Sequence, residues 1–372
     1  MSILARARPD LASFRAYVSA RSTGLDAPIR LNANESPRSI DGDRNGCNRY
    51  PDPQPHELRT RLAALYGTRP GRVWLGRGSD EAIDLLLRGF CRAGRDNVVA
   101  FAPTFGMYRI GAALQNAEYR ELALHGDDGF ALDPERLLAL VDDDTRLVIV
   151  CSPNNPTGTL HHNALRMLAE RLRDRALLVV DEAYIEFADA TSAIALIDEF
   201  EHVAVLRTLS KAHALAGARV GALIANDDVI AFIGRIAAPY PLPTPSVALA
   251  LAALSPDALR ATAARVEQLI AERERVARLL ASMRGVTEVW PSQANFILAR
   301  FADADDAFHR ALAAGVLVRD VSAQPGLNDT LRLTIGMQNE NDALLDALDS
   351  IGVTPRRRAD TSDSRASIVE SS

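Results

Sequence analysis

From about residue 72 to residue 225, short runs rich in β-branched residues alternate with stretches whose apolar residues recur at helical spacing. "RVWL", "NVVAF", "RLVIVC", "ALLVV", "HVAVL" and "GALIA" read as strands buried on both faces, because they show no polar alternation. "SDEAIDLLLRGF", "MYRIGAALQN" and "HNALRMLAERLRD" between them read as helices. A strand without a polar face needs a covering layer on each side. The alternation therefore predicts an α/β domain, a mostly parallel sheet flanked by helices.

The stretch "PYPLPTPS" at residues 239–246 breaks this pattern, since its four prolines disfavour helix and central strand alike. A long helical stretch follows, with an interruption expected near Pro256. Then come "ANFILARF", "DAFHRALAAG", "GVLVRD", "LRLTIGM" and "ENDALLDALDSI", which read as a second, smaller α+β domain. The expected division is a segment at 1–30 packing near the smaller domain, a large domain at 31–243, and a connecting helix with the small domain at 244–355. A polar, aperiodic tail at 356–372 is expected to be disordered.

Open parallel sheets bind ligands at the carboxyl ends of their strands. After "RVWL" stands "GRGSD", where Ser79 and Asp80 suit the start of a helix whose free backbone amides attract phosphate. "SPNNPTG" after "RLVIVC" offers Asn154 and Asn155, either as turn formers or as amides reaching into a cleft. "DEAYIEF" after "ALLVV" offers Asp181, either as a loop cap or as a carboxylate for a cationic ring nitrogen, with Tyr184 three residues on. "RTLSKAHALAGARVG" after "HVAVL" holds Thr208, Ser210, Lys211 and Arg219.

Lys211 is the only lysine in the chain; the remaining 41 of the 42 basic positions are arginine. Arginine supplies charge and a donor fork but remains protonated, whereas a desolvated lysine amine becomes neutral and attacks carbonyls. A helix start for phosphate, an amide, a carboxylate with a phenol and a lone lysine at four strand ends describe a site for pyridoxal 5′-phosphate. No metal spacing accompanies them, and adjacent His161 and His162 do not share a helix face. The net charge of −6 argues against a nucleic-acid surface. No apolar stretch reaches membrane-span length, and the three dispersed cysteines fit reduced thiols, so a cytoplasmic protein is expected.

These segments resemble the fold-type-I pyridoxal-phosphate aminotransferases. "NNPTG", "DEAY" and "SKAHALAGARVG" carry the resemblance, and "LNANESP", "NRYPDP" and "LRLTIG" narrow it to the histidinol-phosphate branch. The resemblance covers about residues 17–350. It implies that Lys211 forms the internal aldimine and moves the proton, and that Asp181 pairs with the pyridine nitrogen. Asn155 and Tyr184 would contact the ring's phenolic oxygen, and Phe105 would stack on the ring. Ser79 and Asp80 would lend backbone amides to the phosphate, with Ser210, Arg219 and Thr208 binding by side chain. Tyr50 would reach that phosphate from the other subunit of a homodimer. Arg319 and Arg332 would grip the substrate anion, with Tyr17 and Asn34 also at the substrate; Tyr108 reads as core or as a residue lining the substrate pocket. The implied reaction is ping-pong transamination between L-histidinol phosphate and 2-oxoglutarate, giving imidazole acetol phosphate and L-glutamate, in histidine biosynthesis. Aromatic-amino-acid transamination and threonine-phosphate decarboxylation would use the same lysine, aspartate and arginines. A cofactor-sensing regulator would need a DNA-binding segment, for which no room is expected before residue 30.

Overall fold

A computed structural model describes residues 2–11, 13–17, 19, 21 and 29–349; the tail expected at 356–372 lies outside them. The larger sheet has seven strands: β1 (Val73–Gly76), β2 (Asn97–Ala102), β3 (Glu118–Ala123), β4 (Thr145–Cys151), β5 (Leu177–Asp181), β6 (Val203–Thr208) and β7 (Gly221–Ala225). Their order is β1-β7-β6-β5-β4-β2-β3. All neighbours are parallel except β7, which runs antiparallel to both β1 and β6. Every residue of β2, β4, β5, β6 and β7 is buried, as the unbroken apolar runs require.

The helices are α1 (His56–Leu65), α2 (Gly78–Phe90), α3 (Met107–Leu114), α4 (Pro134–Leu138), α5 (His162–Arg171), α6 (Asp227–Ile236), α7 (Thr244–Ala253), α8 (Pro256–Ala281), α9 (Ala304–Ala313) and α10 (Gln338–Asp349). The interruption expected near Pro256 is a 73° bend between α7 and α8. There the Ser255 hydroxyl caps α8 by accepting from the Ala258 amide, and Pro256 occupies the first turn, where its missing N–H costs nothing. Proline at a first turn also lets α7 begin inside the "PYPLPTPS" stretch, at Thr244. No single helix among the described residues is long and apolar enough to cross a membrane.

The second sheet, β10 (Arg319–Asp320), β11 (Thr330–Thr334), β9 (Phe296–Phe301) and β8 (Val286–Val289), is antiparallel throughout. Its own core includes Val276 and Leu280 from the far end of α8. Val266, nearer the start of α8, instead joins Tyr184, Phe187, Ala212, Ala294 and Phe296 in a buried seam between the sheets. One helix thus packs against both the loops that follow β5 and β6 and the smaller sheet.

Ile3 and Ala7 belong to the core of the larger sheet, the Arg8 amide donates to the Gly89 carbonyl, and Arg6 reaches the Asp174 carbonyl at 2.9 Å. Residues 2–11 therefore pack on the larger unit, where two apolar side chains and two arginines find their partners.

Candidate active site

The carboxyl ends of β4, β5 and β6 open into a cleft of about 490 Å³, closed on its far side by β10, β11 and the loop between them. Its first corner is the start of α2. Gly78 has φ +76°, and Arg219, in the left-handed region at φ +54°, sends a guanidinium nitrogen to Asp80 Oδ2 at 2.7 Å. Arg219 also lies 3.4 Å from the Ser210 hydroxyl, which accepts from Thr208 Oγ1 at 2.9 Å. Hydroxyls, a guanidinium and the free amides of a helix N-terminus converge here, a cradle suited to a phosphate. The backbones meet closely: a Cβ on Gly221 would lie 2.3 Å from the Gly78 carbonyl carbon and 2.4 Å from the Ser79 nitrogen.

Asp181 ends β5 and is 3% exposed. Its Oδ1 accepts from the Ala183 amide at 3.1 Å and its Oδ2 from the Tyr108 hydroxyl at 2.7 Å. Burial pushes its pKa up to about 6, against the pull of these donors. A buried carboxylate at a cleft wall is what a protonated pyridine nitrogen would complete, so the residues present fit the ring end of pyridoxal phosphate as the α2 corner fits its phosphate.

Lys211 opens to solvent inside the cleft, with its amine 5.5 Å from the centre of the Tyr184 ring. The surrounding walls desolvate it and lower its pKa; Arg332 and Arg219 add to the effect, while Asp80 and Asp181 oppose it. Tyr184 is buried edge-on against Phe296, and burial holds its phenol above the ordinary tyrosine value.

The two asparagines of "SPNNPTG" divide their work. Asn154 is fully buried, accepting from Thr104 Oγ1 at 2.7 Å and donating to the Pro103 carbonyl and Thr157 Oγ1. Asn155 lines the cleft, and its side-chain oxygen accepts from Arg332 at 2.5 Å, so its NH2 is the end that can donate to a ligand. Arg332 stands directly opposite Arg319 in the β10–β11 register. Like charges at opposed positions repel, and burial, then Arg319, depress the Arg332 pKa. The pair describes an anion grip.

Twelve of the residues expected at the site line this one cleft: Ser79, Asp80, Phe105, Asn155, Asp181, Tyr184, Thr208, Ser210, Lys211, Arg219, Arg319 and Arg332. Four do not. Tyr108 was expected at the substrate; it is instead fully buried behind Asp181, because its hydroxyl is the partner of that carboxylate. Tyr50 is 49% exposed and stacks on Tyr240, ring centres 4.6 Å apart. Tyr17 is 73% exposed, and Asn34 is exposed at φ +55°. Sequence reasoning passed over Gln324, Ile110 and Cys151, which also line the cleft. It also passed over Glu35, whose buried carboxylate accepts from the Tyr50 amide and from Arg49, each at 2.8 Å. The available signal was its place inside "LNANESP", one of the segments that carry the family resemblance.

Comparison with known proteins places this geometry. Residues 26–348 match the family model for aminotransferase class I and II. The chain is 49% identical over 351 residues to the histidinol-phosphate aminotransferase of Xanthomonas euvesicatoria pv. vesicatoria, covering 93% of this chain and 97% of that one. It is 49% identical over 350 residues to the enzyme of that name from Stenotrophomonas maltophilia, covering 93% and 96%. The crystal structure of histidinol-phosphate aminotransferase from Sinorhizobium meliloti in complex with pyridoxal-5′-phosphate superposes with a TM-score of 0.73 at 28% identity, over 81% of this chain and 82% of that one. A mostly parallel sheet whose strand ends present a lone lysine and a buried aspartate, facing an arginine pair from the smaller sheet, thus agrees with the sequence matches, and the chain belongs to the aminotransferase class I and II family, among its histidinol-phosphate aminotransferases.

Proposed function

We propose that the protein transfers an amino group between L-histidinol phosphate and 2-oxoglutarate, yielding imidazole acetol phosphate and L-glutamate, in the histidine pathway of the cytoplasm. The observation that carries this reading is a single cleft lined by Lys211, the phosphate-type corner at Arg219 and the opposed pair Arg319 and Arg332.

When bound, pyridoxal phosphate supplies an aldehyde that condenses with amines and a ring that accepts the electron pair left at Cα when its proton departs. The chain's own residues do the rest. Ser79, Asp80, Thr208, Ser210 and Arg219 hold the phosphate end. Asp181 would balance the charge of the ring nitrogen, Asn155 and Tyr184 would donate to the phenolic oxygen, and Phe105 would cover one face. Arg332, with Arg319, binds the phosphate of histidinol phosphate in one half-reaction and the side-chain carboxylate of 2-oxoglutarate in the other. Lys211 Nζ, whose pKa is lowered by desolvation and by Arg332, would be the base that moves the substrate Cα proton. Asn155 bound to Arg332 links the anion grip to the ring contacts.

The test is a two-substrate assay with purified, cofactor-loaded protein. Parallel-line kinetics with histidinol phosphate and 2-oxoglutarate are expected. No turnover with this pair rejects the reading; faster turnover of phenylalanine, or carbon dioxide release from threonine phosphate, reassigns the substrate.

The active form in this proposal is a homodimer, with Tyr50 reaching the partner's phosphate corner and Tyr17 and Asn34 completing the substrate pocket. Their exposure beside Ile29, Leu31 and Ile40 supports it, since a run of exposed apolar side chains asks for a cover. Light scattering is expected to give twice the chain mass, and a monomer that turns over at full rate would remove Tyr50 from the site.

A further inference from the structure

Asp181 and Tyr108 are 73 positions apart, on different elements, yet their side chains meet in the interior. Tyr108 projects from the first turn of α3 and is 0% exposed. A buried phenol needs a hydrogen-bond partner, and any backbone carbonyl would serve. Here the partner is a carboxylate oxygen that borders the cleft. We propose that Tyr108 is a positioning residue for transamination: its hydroxyl, donated to Asp181 Oδ2, fixes that carboxylate as an anion turned toward the ring nitrogen of the cofactor. The proposal rests on the reading of Asp181 given above.

Three observations support it. First, the two donors to Asp181 divide its oxygens, the Ala183 amide on Oδ1 and the phenol on Oδ2, which leaves the group no freedom to rotate without losing a bond. Hydrogen bonds to an ionised acceptor are about twice as strong as neutral ones. Second, every element around the carboxylate contributes a charge or a dipole. Asp80 from the α2 corner and burial drive it toward the neutral acid; Lys211, the Ala183 amide and the phenol hold it ionised. The Cys151 thiol at the end of β4 also faces it, and burial keeps that thiol protonated. The phenol is a neutral side-chain donor to this carboxylate from outside the reacting set. Third, the Tyr108 ring stands edge-on to Phe105, with centres 5.6 Å apart. One residue therefore supports both the carboxylate and the aromatic side chain assigned to the ring face, and Tyr108→Phe separates the two roles because it keeps the ring and removes the hydroxyl.

The experiment is equilibrium dialysis of the loaded full-length chain against pyridoxal phosphate from pH 5 to pH 8. The variants are Tyr108→Phe, Asp181→Asn and the double substitution. In the wild type, affinity is expected to fall as pH drops through about 6, where Asp181 takes up a proton. Loss of one charge-assisted bond moves that limb up by about one pH unit, so Tyr108→Phe binds about fivefold more weakly than wild type at pH 6. Within the Asp181→Asn background the same change is expected to add nothing, because a residue acting through Asp181 cannot be additive with it. A wild-type pH limb in Tyr108→Phe, or equal losses in both backgrounds, overturns the proposal and leaves the phenol a packing element. An Asp181→Asn protein that binds like wild type at every pH overturns the assignment of Asp181 itself, and the proposal with it.

Discussion

Lys211→Arg is expected to lower transamination by on the order of 10^4-fold or more while leaving the protein folded. Arginine keeps the positive charge and fills the space, but it neither loses its proton nor bonds to an aldehyde. Lys211 is solvent-accessible within the cleft and contributes nothing to the cores of either sheet, so the melting temperature should move little. Borohydride reduction of the loaded wild type should leave cofactor covalently attached at residue 211. The variant should retain none, since the chain has no second lysine to substitute. Covalent label in the variant, or activity within a hundredfold of wild type, would contradict the role of this amine.

The second large effect comes from a position with no side chain. Gly221→Ala places a Cβ against the Gly78 carbonyl carbon and the Ser79 nitrogen, both closer than real Cβ contacts allow. These are backbone atoms and cannot rotate aside. The start of α2 must move away from β7, and the distance between the Ser79 amide and Arg219 changes with it. Overpacking of this kind costs about 1–3 kcal/mol. Expressed as cofactor affinity, that is about fivefold to 150-fold. The loss should appear with pyridoxal phosphate and be smaller with pyridoxal, because the distorted corner is the phosphate corner. Equal losses for the two ligands would mean that the α2 start does not hold the phosphate.

Much of this was legible in the residues, for physical reasons that differ along the chain. Strands β4, β5 and β6 are buried on both faces, so their sequences are unbroken apolar runs and their ends are easily located. The chemistry at those ends, Asn155, Asp181 and Lys211, follows directly in the chain. By contrast β3, "EYRELA", lies at the sheet edge with most of its side chains partly or fully exposed, and carries no such run. The strand read in "GVLVRD" is present as β10 but is cut to two residues, the length that pairs with β11. Tyr108 was hidden for a related reason: nothing near residue 108 announces a carboxylate that arrives with another strand. Its helical, apolar surroundings fit core and pocket equally well.

The solvent-accessible amine at position 211 has a practical corollary. With one side-chain amine in the whole sequence, and that one softened by its setting, acylating reagents at mild pH meet a single internal address. Fluorophores, crosslinkers or resin linkages directed at lysine would report occupancy of the cleft without engineering. Cofactor and label would exclude one another. The arginine side chains do not acylate, so among side-chain amines the label would go to the cleft alone.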